Sequence, residues 1–432
     1  MNGRSTHKSL SDVFSLPSTF KIDLSNAKIV FVAKKIENKE AKALANALAS
    51  GQCPQGLQID LSDNRISSEC MEILATALAS GNCPKGLQLL LTGYDTIIDF
   101  GGIKALTKAL ASGNCPEGLQ INLGGHVIGD EEAKLFATAL LSGRCPQGLQ
   151  LSFGGNHDKD HISNKGIKIL ANALASGNCP QGLQIDLDVN WIDSEVEALA
   201  DALASGNCPQ GLQINLHANI IDSEGVQALA DALASGNCPQ GLQINLQENQ
   251  IDNDGMKALA KAIQSGKCPQ GLQINLSYNE MINNEGIKVL IDALATGQCP
   301  QGLQIIFEKS YSPSTQALYD RVNILLRENG IKHAALSCVA LQQGLRQQHT
   351  YLNKLPQAVA ADLLYPLVPS VSLSKEEEKY FRKKVLTAAV PKETWLSPSS
   401  LFRYKNKIKT TAEEEEKIAA DSNSSNKKQR LI

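Results

Sequence analysis

The feature that most constrains this chain of 432 residues is a unit of about thirty residues that recurs along it. Its clearest copy is Gly211–Pro239, GLQINLHANIIDSEGVQALADALASGNCP, and close copies begin at Gly182, Gly241 and Gly271. The cysteine near the end of the unit returns every 29 to 34 residues, from Cys53 to Cys299. A steady period in this range marks a stacked array, in which each unit covers the open apolar face of the next and none stands alone.

Within the unit, Leu212, Ile214 and Leu216 alternate with Gln213 and Asn215, the pattern of a short strand with one buried face. Asn219 follows the strand, and its amide suits the unpaired backbone groups of a sharp bend. Ile221 returns to the core. Asp222 or Ser223 caps a helix that has Glu224 in its first turn. Val226, Leu229, Ala230 and Leu233 fall on one helical stripe. Gly236 ends the helix as a left-handed cap, and Pro239 forbids its continuation. Strands stacked in parallel lie ~4.8 Å apart, whereas helices need about 8–10 Å. The mismatch curves the stack, with the sheet inside and the helices outside. The expected class is therefore α/β, a solenoid with a parallel concave sheet.

Aromatic residues make up 4% of the chain, so this core must be built from Leu, Ile, Val and Ala. A net charge of −3 gives no general reason to expect nucleic acid or a membrane as partner. No stretch approaches the ~20 apolar residues of a membrane helix. The first residues, MNGRSTHKSLSDVFSLPSTF, lack the apolar core of a secretory signal. The expected setting at synthesis is the cytoplasm. Of eleven cysteines, nine precede a proline at equivalent sites: Cys53, Cys83, Cys115, Cys145, Cys179, Cys208, Cys238, Cys268 and Cys299. One thiol per unit reads as a column of small buried hydrophobes, since disulfides would pair neighbours and break the equivalence of the units. CxxC pairs at zinc-ligand spacing are absent.

The pattern Leu-x-Ile-x-Leu-x-x-Asn-x-Ile followed by an amphipathic helix resembles the leucine-rich repeat, in the long helical form of the ribonuclease inhibitor family. The resemblance runs from about Phe20 to Phe307. Strands are expected from Leu57, Leu87, Leu119, Leu149, Leu183, Leu212, Leu242, Leu272 and Leu303, after a degenerate first one at Phe20–Leu24. The bend asparagine is present at Asn64, Asn156, Asn190, Asn219, Asn249 and Asn279. It is missing near Gly93 and Gly125, where the bend is expected to differ. The expected organisation is an N-terminal arm over 1–19, a horseshoe solenoid of about ten strands over 20–309, a small all-helical region over 310–400 and a charged, flexible tail over 401–432.

The resemblance implies a module that binds protein through its concave sheet and the loops leaving it. The outward strand positions form a repetitive column, Gln58, Gln88, Gln120, Gln150, Gln184, Gln213, Gln243, Gln273 and Gln304, read as a self-bonded amide ladder. Recognition must then lie where the units differ, just after each strand. Asp188, Val189, His217, Glu248 and Tyr278 occupy these positions, and Trp191 and Ile220 sit in an outward slot on adjacent turns. These are the candidate partner-binding residues, with Trp191 as anchor. The segment with His157, Asp158, Asp160 and His161 holds metal-ligand types, but it is a short polar loop without a helix to fix them. We read it as solvated and expect neither metal nor cofactor. There is no phosphate-cradling glycine loop, nucleophile elbow or HExxH. Catalysis is not expected.

After Phe307 the period stops. Ser312–Asn329 reads as a helix stopped by Gly330, and Ile331–Gln347 as a second, with more helix over 355–367 and 375–389. A terminal unit needs such a cap. LPQAVAADLLY is similar to the box motifs by which adaptors dock on ubiquitin-ligase subunits, at Leu355, Pro356, Val359, Leu363 and Leu364. The acidic block Glu413, Glu414, Glu415 and Glu416, close to a polar C-terminus ending in Leu431 and Ile432, resembles the export signal of effectors secreted by type IVB systems. Near-identical repeats likewise resemble the leucine-rich-repeat effectors of intracellular bacterial pathogens. That resemblance implies a monomer delivered to the host cytosol to bind a host protein. A ligase adaptor and an inhibitor that blocks its target are the alternatives.

Overall fold

The computed structural model describes residues 17–23, 27–31, 35–93, 98–126, 128–155, 162–193, 196–308 and 312–348. The chain divides into two compact units, Met1–Gly330 and Ile331–Ile432. The first holds all the repeats. Its main sheet has eleven strands stacked in chain order. The edge strand β1 (Phe20–Asp23) pairs antiparallel with β2 (Lys28–Phe31). The next strand of the sheet, β4 (Gln58–Asp60), pairs with β2 in parallel, and the remaining strands continue in that sense. Two-residue strands β3 (Lys35–Ile36) and β5 (Arg65–Ile66) form a separate small ladder. From β6 (Gln88–Leu90) onward the strands are β7 (Gln120–Asn122), β8 (Gln150–Ser152), β9 (Gln184–Asp186), β10 (Gln213–Asn215), β11 (Gln243–Asn245), β12 (Gln273–Asn275) and β13 (Gln304–Ile306). Each glutamine pairs with the next glutamine, as at Gln213 and Gln243, so every repeat has the same register.

This differs from the sequence reading at the start of the array. Phe20–Asp23 is a cap rather than the first repeat strand; that role falls to Lys28–Phe31, which lacks the leucines of the repeat and so escaped notice. The hairpin blunts an open sheet edge, and Phe20 and Phe31 meet across it with ring centroids 5.0 Å apart.

Strand alternation is as the period demands. Leu212, Ile214 and Leu216 are buried, while Gln213 and Asn215 are half-exposed on the other face. Helices α1 (Asn38–Ala49), α2 (Ser68–Leu78), α3 (Phe100–Leu110), α4 (Asp130–Leu141), α5 (Asn164–Leu174), α6 (Val196–Ala204), α7 (Ser223–Ser235), α8 (Asn253–Gln264) and α9 (Asn284–Ala295) each follow a strand. In α7 the Asp222 carboxylate accepts the amides of Glu224 and Gly225, and Gly236 closes the helix at φ 84°. Val226, Leu229, Ala230 and Leu233 are its buried stripe.

The invariant CPxG segment has two structural duties. In the units before the last, the cysteine thiol donates to the alanine carbonyl six residues back, 3.3 Å in Cys238 to Ala232, which satisfies a carbonyl at the helix end. Burial pushes the thiols up, to about 12 at Cys208 and Cys238 and about 11 at Cys53 and Cys268, which favours the protonated form. The glycine lies at φ 70° in Gly211, a conformation that a side chain resists, and its amide donates to the Gln240 carbonyl of the next unit at 2.8 Å. The same bond joins each unit to the next, from Gly56 and Lys85 to Gly271 and Gln301.

At the C-terminal end the helix α10 (Pro313–Gln348) covers the last repeat with Val322 and Leu325, both buried. Asn329 donates to the Leu294 carbonyl at 3.1 Å, and Phe307 stacks on Tyr319 with centroids 4.6 Å apart. Gly330 does not stop this helix, contrary to the sequence reading. A helical glycine costs only about 1 kcal/mol, which the packing of Val322 and Leu325 and the Asn329 hydrogen bond to the last repeat offset. Residues 349–432 lie outside the described residues, and with them the remaining expected helices and the tail.

Candidate protein-binding face

The loops that leave the strands are built on a ladder of asparagines. Asn219 is buried, and its amide nitrogen donates to the carbonyls of Leu187 at 3.0 Å and His217 at 3.2 Å. Its amide oxygen accepts the backbone amides of Asn190 and Ile192, both at 3.0 Å. Asn249 serves Ile221 in the same way, and Asn279 serves Asn249 and Ile251. Each bend is thereby tied to the unit before it. The missing asparagine near Gly125 is replaced: His126 is buried in its place, and its Nε2 bonds the Leu91 carbonyl of the preceding unit. The third full repeat keeps this tie to the unit before it, but its backbone is bonded differently: the His126 amide donates to the Leu123 carbonyl at 3.1 Å and the Ile128 amide to the His126 carbonyl at 2.9 Å.

The residue before the bend residue is held in the left-handed region. Gly93, Gly125 and Gly155 fill this position in three units, but Asp63, Val189, Ala218, Glu248 and Tyr278 fill it in the others, at φ between 50° and 57°. The cause is the ladder: the amide of Ala218 donates to Gln247 O and that of Glu248 to Ser277 O, at 3.0 and 2.9 Å. A left-handed residue other than glycine costs about 1–2 kcal/mol, most for β-branched Val189. The local sequence gives no sign of this column beyond the three glycines.

The candidate residues fall on one row of neighbouring exit loops. Trp191 is 54% exposed and itself lies at φ 56°. Its unit is the shortest, with 29 residues from Cys179 to Cys208. Ile220 on the next turn is only half-exposed, because its amide is drawn to the Ile192 carbonyl at 3.0 Å. Asp188 and Val189 are half-exposed. His217 Nε2 meets the Glu248 carboxylate at 3.1 Å, joining two more candidates. Tyr278 is 55% exposed. Met281, which the sequence reading passed over, is 53% exposed on the same row; the extra residue of its loop pushes it outward.

Beside this row lies the outer face of the sheet. A shallow groove of about 350 Å³ crosses it from Leu90 to Asn215. The amide ladder expected in the glutamine column has a bond from Gln58 to Gln88 at 3.3 Å. The neighbouring column is better joined: Asn245 donates to Asn215 at 2.8 Å, Asn215 to Asp186 at 2.6 Å, and Ser152 to Asp186 at 3.0 Å. An acceptor-only carboxylate thus sets the direction in which the amides point.

A family model described as Leucine Rich repeat matches residues 242–260, the stretch from β11 into α8. That unit is similar to a leucine-rich repeat, and the other units share its strand register and following helix. Curated protein sequences show no match to the chain. Among the described residues, no cluster of three or more His, Cys, Asp or Glu side chains is placed to hold a metal ion, and no helix is long and apolar enough to cross a membrane. The His157–His161 loop lies outside the described residues, as do Leu355, Pro356, Val359, Leu363 and Leu364 and the Glu413–Glu416 and Leu431 segment.

Proposed function

We propose that the leucine-rich repeats form a non-enzymatic protein-binding module whose contact surface is the row of exit loops from Asp188 to Met281. One observation carries this reading: Trp191, Tyr278 and Met281 are each more than half exposed at the two ends of a row of four consecutive exit loops, on a scaffold tied together by the buried asparagines. Exposed large apolar side chains on rigid loops are the usual anchors of protein interfaces. Trp191 and Tyr278 supply aromatic contact area. Asp188 and the His217–Glu248 pair supply a polar rim.

The partner we infer is a host protein, met by a secreted bacterial effector that acts as a monomer. The near-identical repeats and the Glu413–Glu416 block support that reading through their resemblance to such effectors. Capture from eukaryotic lysate by the full chain, beside a Trp191→Ala, Ile220→Asp variant, tests the binding face: one host protein should be retained by the parent and lost by the variant. Ligase subunits in the same eluate would favour the adaptor role through Leu355–Leu364. Deleting the last thirty residues should abolish delivery into host cells and leave the melting of the repeats unchanged; normal delivery would refute the effector reading.

A further inference from the structure

Charge on the exit-loop row is predominantly negative. In four consecutive units, the stretches 183–195, 212–224, 242–254 and 272–285 run from strand to first helical turn. Together they hold eleven acidic residues and no lysine or arginine. Glu224, Glu248, Asp254, Glu280 and Glu285 are exposed. A hydrogen bond from the Ser223 hydroxyl holds the Asp252 carboxyl below its usual range. Among the described residues, His217 Nε2 lies against Glu248, and Lys257, one turn into α8, is bound to Asp254 at 2.8 Å. The earlier units differ. Arg65 occupies the slot that Trp191 fills later, and glycines stand at Gly93, Gly125 and Gly155. Acidic residues without lysine or arginine also stand in 87–99 and 119–131, so the negative charge runs along the row, and it is the exposed Trp191 and Tyr278 that set these four units apart among the described residues.

Resting on the binding face argued above, we propose that these four loops recognise an extended, arginine-rich segment of the partner, with guanidinium groups stacked on Trp191 and Tyr278 and paired to the flanking carboxylates. A guanidinium is planar and weakly hydrated, stacks on an aromatic face and bonds a carboxylate with its edge. Trp191 next to Asp188, and Tyr278 next to Glu248 and Glu280, offer both partners at once. The face thereby repels nucleic acid and anionic membrane. The geometry also sets a spacing. Three steps of a parallel sheet separate the units of Trp191 and Tyr278, roughly 15 Å, which an extended chain covers in about four residues.

The probe is a fluorescein-labelled ten-residue peptide with arginine at every fourth position, read by anisotropy with the full chain at low and at moderate salt. Its control replaces each arginine with glutamine. The arginine peptide should bind, the glutamine peptide should not, and affinity should fall as salt rises. A Trp191→Ala, Tyr278→Ala variant should bind about tenfold more weakly, the loss expected of two exposed cation–aromatic contacts. A Glu248→Gln, Glu280→Gln variant should also bind more weakly and show a flatter salt dependence. The proposal is overturned if the glutamine peptide binds as well as the arginine one, or if either variant, melting like the parent, binds the arginine peptide unchanged. Attraction to the Glu413–Glu416 block alone gives that second outcome. Failure here leaves the lysate result standing, since loss of a host protein on changing Trp191 and Ile220 does not depend on the partner's charge.

Discussion

Replacing Asn219 with alanine removes four hydrogen bonds without altering the exposed surface. The side chain is only 6% exposed, donates to Leu187 and His217, and accepts from Asn190 and Ile192. The His217 carbonyl tolerates the loss because it also accepts from Val189, and an under-satisfied carbonyl such as that of Leu187 costs less than an orphaned N–H. The amides of Asn190 and Ile192 cannot tolerate it, since a buried N–H has one bond to give. Two unsatisfied donors cost roughly 2–6 kcal/mol together, and we expect about 4 kcal/mol. In a repeat array stability is a sum over units and their interfaces, so the damage should appear as early melting of the units around Asn219. The assay is urea unfolding followed by circular dichroism, with hydrogen exchange to locate the weakened units. Trp191→Ala, between those two amides but with its side chain on the exposed side of the bend, is the control and should cost under about 0.5 kcal/mol. A loss below about 1 kcal/mol for Asn219→Ala would refute the view that the ladder holds the loops in place.

Val189→Gly should stabilise the chain by about 1 kcal/mol, because it relieves a left-handed β-branched residue at φ 52°; a lower melting temperature would contradict this. Gly225→Ala should destabilise by about 1–3 kcal/mol, since its Cβ would sit 2.7 Å from Val196 Cγ1 and 3.0 Å from Ile221 Cγ2; thermal melting checks it. The column thiols, raised from 9.0 to about 11 or 12 by burial, bind protons more tightly in the folded chain than in the unfolded one. Their stabilisation is complete below pH 9 and is lost as pH rises through 9 to 12. Urea midpoints should fall across that window, and Cys208→Ala with Cys238→Ala should shallow the fall; a flat profile would mean the thiols are not shielded.

The period made most of the fold legible, because it repeats three signals at once: alternation in the strand, the bend asparagine and the helical stripe. Leu212, Ile214, Leu216, Asp222 and Gly236 all do what their types and spacing predict. Legibility fails where a unit departs from the pattern. Lys28–Phe31 carries no repeat leucines, so its pairing with β4 is a tertiary fact. His126 replaces an asparagine through one shared hydrogen-bonding capacity, which sequence comparison of side-chain types does not reveal. Gly330 looks like a stop, but the packing of its helix on the last repeat offsets its cost. At the binding face, Trp191 stood out as a large apolar residue in an outward slot. The left-handed column and the exposure of Met281 come instead from inter-unit hydrogen bonds and loop length.

The central claim is that the exit-loop row, rather than the helical side, meets the partner. Exposed apolar residues on the helices provide the comparison, since Phe100 in α3 is 48% exposed and Leu141 in α4 is 45% exposed. The most direct measurement is quantitative capture from eukaryotic lysate by three forms of the full chain: the parent, Trp191→Ala with Ile220→Asp, and Phe100→Ala with Leu141→Ala. The account predicts one protein retained equally by the parent and the helix variant and lost from the loop variant, with all three melting alike. Retention by the loop variant, together with loss from the helix variant, would place the partner on the other side of the solenoid and contradict it.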